Sequence, residues 1–472
     1  MTDIEFDENF YQEILKRFKK IKKEIELFQG SLKNDIKKAF GTWGFFYTLP
    51  SNTTHSAGKV YIGLKAETAF RKIVEYVLNN NPKLKNKTSD HVLQVCIKDA
   101  FWHSIIHKRE ELSLDTTQKI IHTAINTLKS KHLNTATYYI PCILPLDKKC
   151  KEFSIYPVKF TQVEIFLKTN KKALHEYSLQ IEKSELKKSK NISEKEKKEI
   201  KKYAHSYERS LKSHYKNYTW LASIEINNTE KERAQDISQL AIKTALNFLQ
   251  LITSKQTANR IFLPDRGCYL EKETAELTRL ENGAFNITSV NNLNFDSHNG
   301  WVNSTDLRWL AFGENLLANL LQETTDNLPY RRYLNALWWY GEAMNRSTLP
   351  FMKIISLSNA LEAFLVTDRT DATQQISSRA TCFLKERDSE KNWEPKVKKF
   401  YKLRSDLVHG HLSPFDRKVN KEIATAIEIV RGTLICGAPW TEYLVSEECQ
   451  TTTAIAEKFT EYLNGEINRT CG

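Results

Sequence analysis

No stretch of this 472-residue chain approaches the roughly 20 consecutive apolar residues that a membrane-crossing helix needs. No Gly-rich loop ends in Gly-Lys-Ser/Thr, and no Gly-x-Gly-x-x-Gly follows a predicted strand, so nothing supports ATP or dinucleotide binding. The eight cysteines include no Cys-x-x-Cys pair. Cys142 and Cys150 have no matching pair elsewhere, which removes the ligand spacing of a structural zinc site. His103 and His107 have the i,i+4 spacing of a helical metal pair, but position 104 is Ser, so the His-Glu-x-x-His pattern is absent. Trp102, Ile105 and Ile106 instead suggest a half-buried helix with two histidines at its polar edge. There is no helix-turn-helix signature, zinc finger or internal repeat. No cofactor is expected. The opening residues, Met1-Thr2-Asp3-Ile4-Glu5-Phe6-Asp7, are acidic and lack the basic and apolar regions of a signal peptide. Scattered thiols in a chain this long point to reduced cysteines and a cytoplasmic location.

A hydrophobic content of 40% suits a globular core, and a charged content of 27% suits a soluble surface. The length predicts two or three domains. The formal charge of +13 is compatible with a polyanionic partner, and equally with a lysine-rich composition of no special purpose. Three blocks follow from the periodicity. Residues 1–135 read as mostly helical, opening with an amphipathic helix of Phe10, Ile14, Phe18, Ile21, Ile25 and Phe28, with lysines on its other side, followed by a short strand around Val60–Leu64 and helices near 66–80, 90–108 and 116–130. Residues 136–303 are mixed. Thr137–Leu144, Glu152–Pro157, Val163–Lys168 and Trp220–Ile226 read as strands, Glu230–Ile252 as a long helix, and Ile261–Leu263 and Phe285–Val290 as further strands. The Asn/Ser/Gly-rich segment Asn291–Asn303 reads as the linker. Residues 304–472 are helical, with helices near 306–323, 330–345, 350–366, 372–387, 393–409, 416–436 and 452–464. The fold class is therefore α+β, mainly α, with a mixed α/β N-terminal region and a C-terminal helical bundle.

Chemistry concentrates at Arg404-Ser405-Asp406-Leu407-Val408-His409-Gly410. Val397, Phe400, Leu403 and Leu407 form one apolar stripe leading into it, and Gly410 is a natural residue to follow a helix end. His409 then sits in the last turn, where the helix dipole favours the imidazolium. Histidine moves protons near neutral pH, and arginine offers a fixed fork of donors to phosphate. On an ideal helix Arg404 and His409 diverge by about 140°, so they meet only if the helix end bends or a second subunit completes the site. Ser405 and Asp406, at i−4 and i−3, are placed to orient the imidazole. Glu362 stands alone in an apolar helix and needs a cation, with Arg404 and Arg379 as candidates.

The order of segments carries a resemblance. Leu357-Ser358-Asn359-Ala360-Leu361-Glu362-Ala363-Phe364-Leu365 is followed by Ile376-Ser377-Ser378-Arg379-Ala380-Thr381-Cys382-Phe383-Leu384 and then by Phe400-Tyr401-Lys402-Leu403 running into the Arg404–Gly410 motif. Residues 305–440 thereby resemble the HEPN superfamily, in its Apea-like branch. The resemblance implies a helical bundle and a homodimer with the motif at its interface. It also implies metal-independent endoribonuclease activity in toxin–antitoxin or antiphage defence, with Arg404 and His409 catalytic and Ser405, Asp406 and Glu362 supporting. Some members of that superfamily only bind, so a non-catalytic RNA- or protein-binding module is the alternative. The partners implied are RNA, tRNA among the candidates, and a phage-derived trigger or regulatory protein. The N-terminal and middle blocks are then expected to restrain or target the nuclease.

One further segment bears on RNA. Between Lys171 and Lys216 there are fourteen Lys/Arg against seven Asp/Glu. Lys187, Lys188, Lys190, Lys197 and Lys198 are candidate phosphate contacts, and the interleaved Tyr177, Tyr203, Tyr207, Tyr215 and Tyr218 could stack on bases. The plainer reading is a solvated helical hairpin with acids and bases paired at i,i+4.

Overall fold

The structure is a computed structural model. It describes residues 6–34, 46–49, 60–144, 150–188, 193–202, 215, 218–253, 258, 261, 277–281, 283, 285–287, 307–321, 327–345, 348–368 and 370–465. A mixed α/β N-terminal region precedes a predominantly helical C-terminal region. The elements in chain order are α1 (Glu8–Asn34), β1 (Phe46–Leu49), β2 (Val60–Gly63), α2 (Leu64–Asn79), α3 (Pro82–Lys85), α4 (Asp90–Phe101), α5 (Leu114–Lys131), β3 (Leu133–Cys142), β4 (Glu152–Ile155), β5 (Val158–Gln162), α6 (Val163–Thr169) and α7 (Lys171–Lys188). They continue with β6 (Trp220–Glu230), α8 (Lys231–Ile252), β7 (Leu277–Leu280) and β8 (Phe285–Ile287). The helical region is α9 (Leu307–Leu321), α10 (Leu328–Met344), α11 (Pro350–Leu365), α12 (Ala372–Arg387), α13 (Glu394–Val408), α14 (Arg417–Ser446) and α15 (Thr452–Asn464). The chain forms two compact units: residues 1–135 with Ile226–Asp236, and Ala136–Glu225 with Ile237–Gly472.

Three expectations about individual elements need correction. Val163–Lys168 is helix α6, not a strand; the strand is the preceding Val158–Gln162. Val163 and Phe166, three residues apart, are both buried against Ile143, Leu174 and Tyr218, so packing at helical period overrides the β preference of these side chains. The helix expected over 90–108 ends at Phe101 and continues as a single π-helical segment, Trp102–His107. The helix expected to stop at 436 runs to Ser446 through Pro439. Ile261 lies outside regular structure, while residues 262–263 and the expected linker Asn291–Asn303 fall outside the described residues.

In the first unit, Phe10, Ile14, Phe18, Ile21 and Ile25 bury one face of α1 against α2 and α5. Its core also holds a buried ion pair between Glu67 of α2 and Lys98 of α4, to which Gln94 adds a hydrogen bond of 3.1 Å. Sealed charges of this kind cost desolvation and are tolerated because each finds its partner.

The second unit carries a six-stranded sheet in the order β4-β5-β6-β3-β7-β8, antiparallel across β4–β5, β5–β6, β3–β7 and β7–β8. Its helices pack around aromatic side chains. Tyr333 meets Phe312 and Phe364 edge-on, at centroid distances of 4.9 and 5.5 Å. Gly437 lets α14 approach α11, because a Cβ there would stand 2.3 Å from Phe364 Cε1. Two arginines hold the far end of α11. Arg332 donates to the Phe364 and Val366 carbonyls, and Arg379 to the Leu365 carbonyl and the Thr367 hydroxyl. These are carbonyls that a helix C-terminus leaves without partners. Burial, reinforced by repulsion from Arg331 at Arg332 and from Arg332 at Arg379, lowers both guanidinium groups to about 10, so each stays charged at neutral pH. No described helix is long and apolar enough to cross a membrane.

Candidate functional site

Helix α13 opens with Pro395 in its first turn, a position that wastes no backbone donor. Its buried stripe, Val397, Phe400, Leu403 and Leu407, packs among α11, α12 and α14. Arg404 lies at the edge of that stripe. Its Nη2 forms an ion pair with Oε1 of Glu362 on α11 at 3.0 Å, with side-chain exposures of 22% and 30%. Of the two cations the sequence offered Glu362, the structure selects Arg404; Arg379 is occupied by the end of α11 and the ring of Phe459. Glu362 is half-buried, not sealed in the core.

Tyr401 belongs to the same cluster and was not singled out by sequence. Its hydroxyl donates to the same Glu362 Oε1 at 2.8 Å, and its ring centre lies 5.6 Å from Arg404 Cζ. Burial, and then the Glu362 carboxylate, push the Tyr401 hydroxyl up to about 12, so it remains a donor. The signal in the sequence is faint: Tyr401 and Arg404 are i,i+3, one helical face, and could share one acceptor. The Arg404 fork is thus tied at one nitrogen. Its Nε is buried with no acceptor among the described residues, and Nη1 makes no hydrogen bond to any of them.

His409 caps α13. Its amide donates to the Ser405 carbonyl at 3.0 Å, and Gly410 follows with φ +75°, a left-handed conformation that only glycine adopts without strain. The Leu412 amide then returns to the Asp406 carbonyl at 3.0 Å. The His409 side chain is exposed, with the His411 ring 6.3 Å away, and it makes no hydrogen bond to a described residue. Asp406 faces Lys402 at 3.1 Å rather than the imidazole, and Ser405 meets His409 through its carbonyl. The structure therefore joins Arg404, Glu362 and Tyr401, and leaves His409 at the adjoining surface without a bond to Arg404.

The lysine-rich segment is helical over Lys171–Lys188 and again over 194–202. Lys187, Lys197 and Lys198 are exposed; the Lys188 side chain, Lys190, Tyr203 and Tyr207 lie outside the described residues. Lys197 pairs with Glu194 at 2.6 Å. Tyr215 and Tyr218, offered as stacking platforms, are 0% and 3% exposed and belong to the core. Among the described residues no group of three or more His, Cys, Asp or Glu could hold a metal ion. His103 and His107 stack at 5.6 Å on the π-helical segment. Comparisons with protein-family models, with curated proteins and with solved structures find no match to this chain.

Proposed function

We propose that the C-terminal helical region is a metal-independent endoribonuclease of HEPN type, with Arg404 and His409 as its reacting pair. The carrying observation is the state of Arg404: Glu362 holds its guanidinium in an ion pair at Nη2, while Nη1 makes no hydrogen bond to a described residue. A guanidinium so held is pre-aimed for a phosphodiester oxygen. In the proposed reaction the ribose 2′-OH attacks the adjacent phosphorus, and the bond to the 5′-oxygen breaks. His409 takes the 2′-OH proton or supplies one to the leaving oxygen. Arg404 balances the extra charge on the pentavalent phosphorus. Because the nucleophile is in the substrate, RNA is cut, DNA is not, and the products carry 2′,3′-cyclic phosphate and 5′-OH ends.

The exposed, unoriented His409 ring supports a site completed by a second copy of the chain. A regulated defence effector acting on cytoplasmic RNA, such as tRNA, and released by a phage-derived trigger fits that reading. The same loose imidazole, with Asp406 turned to Lys402, also favours the second reading, a non-catalytic RNA- or protein-binding module. Incubating the purified protein with RNA in excess chelator separates the two. Shorter products with cyclic phosphate ends support the nuclease; complete loss of cleavage in chelator, restored by magnesium or manganese, rejects the mechanism.

A further inference from the structure

A second cluster of chemistry lies on α14, outside the Arg404 network. A cavity of about 390 Å3 is lined by Arg387 at the end of α12 and by Ala424, Thr425, Ile427, Glu428 and Arg431 of α14. The volume falls within the roughly 300–1,000 Å3 typical of small-molecule sites. The α14 residues recur at helical spacing, so one face of that helix forms the wall.

The charges in this cavity are not balanced. Arg431 uses two nitrogens structurally: Nε donates to the Leu251 carbonyl at 2.8 Å and Nη2 to the Thr253 carbonyl at 2.5 Å, which holds the C-terminal end of α8. Neither acceptor is an anion. Arg387 has no hydrogen bond or ion pair to a described residue; burial lowers the Arg431 ionisation, and the nearby Arg387 guanidinium adds to that lowering. Glu428 does not neutralise them, since it is engaged by Lys391 at 2.6 Å. Gly432 maintains the approach of the two helices. A Cβ there would stand 2.5 Å from Leu384 Cδ2 and 3.5 Å from Arg387 Nη1. Two guanidinium groups facing one cavity, with one carboxylate already paired, leave an excess positive charge that a bound anion would satisfy.

The geometry points to a binding site for a phosphomonoester of small-molecule size, its phosphate between Arg387 and Arg431 and its uncharged part against Ala424 and Ile427. A phosphate dianion matches two forked donors, and the two apolar side chains give a nucleoside or similar body a surface to cover. This site is independent of the proposed cleavage chemistry, because it uses neither Arg404 nor His409.

The test uses the full chain and calorimetric titration at constant ionic strength, with AMP as the phosphomonoester and adenosine as the uncharged control. Arg387→Gln is the informative variant, because Arg387 is exposed and holds no structural hydrogen bond. AMP is expected to bind saturably at one site, adenosine to bind at least about tenfold more weakly, and R387Q to lose at least about tenfold in AMP affinity while its melting temperature without ligand is unchanged. The proposal is overturned if AMP gives no saturable binding, if adenosine binds equally well, or if R387Q binds AMP like wild type. It is equally overturned if only 5′-phosphorylated RNA oligomers bind, since the cavity would then hold a macromolecule's end.

Discussion

Removing the Glu362 carboxylate should loosen the C-terminal helices by an amount the geometry bounds. Its Oε1 pairs with Arg404 Nη2 at 3.0 Å and accepts from the Tyr401 hydroxyl at 2.8 Å. The partners are 22% and 30% exposed. They fall between a surface pair, worth about 0–1 kcal/mol, and a sealed pair, whose breaking costs about 3–5 kcal/mol. Hydrogen bonds to charged groups contribute about 1.5–3 kcal/mol, and water can reach both partners here, so the lower end applies. Glu362→Ala should therefore destabilise the C-terminal region by about 1.5–2 kcal/mol. Because the chain has two compact units, one global melting temperature would mix two events. Calorimetry that resolves the transition of the second unit is the appropriate assay. A cycle with Tyr401→Phe adds specificity: two changes meeting at one oxygen should couple by about 0.5–1 kcal/mol. A loss below about 0.5 kcal/mol, with strictly additive E362A and Y401F effects, would refute a shared acceptor at Glu362.

Other expectations follow from the same region. Gly410→Ala should cost about 1 kcal/mol through its left-handed backbone alone, since no atom lies within 4 Å of the added Cβ; a neutral result would contradict the φ of +75°. The Tyr401 hydroxyl, raised to about 12, ionises in the unfolded chain near 10 before it does so in the folded one. Its stabilising contribution is therefore complete below pH 10 and lost as pH rises towards 12, so Y401F should flatten that part of the stability–pH curve. If the nuclease site is shared between subunits, excess His409→Ala chain exchanged into wild type should depress activity more than dilution does, whereas a fully active monomer by light scattering would exclude sharing.

Legibility in the sequence tracked how local each determinant is. Helices α12 and α15 coincide with the expected 372–387 and 452–464, and at α15 the caps explain why: the Thr451 hydroxyl accepts from the Ala454 amide, and Gly465 is left-handed. The α6 segment was misread because Val163, Ile165 and Phe166 favour strands, and only the cluster around Ile143 and Leu174 makes the helical period decisive. The four-residue strands β1 and β7 are too short to register as a pattern. At the candidate site, Arg404, Glu362 and His409 stood out by residue type. Tyr401 did not, because its acceptor lies 39 positions away and only the packing of α11 on α13 brings them together. The burial of Tyr215 and Tyr218 was equally hidden, since a lysine-rich surrounding suggests a solvated face.

The most direct measurement compares RNA cleavage by wild-type protein, Arg404→Ala and His409→Ala in excess chelator, with near-ultraviolet circular dichroism confirming each fold. The proposal predicts cleavage by wild type, with cyclic phosphate ends, and none by either folded variant. Equal cleavage by all three proteins would contradict a catalytic role for this pair, and absence of cleavage by wild type on any RNA, with its trigger supplied, would leave the binding module as the function.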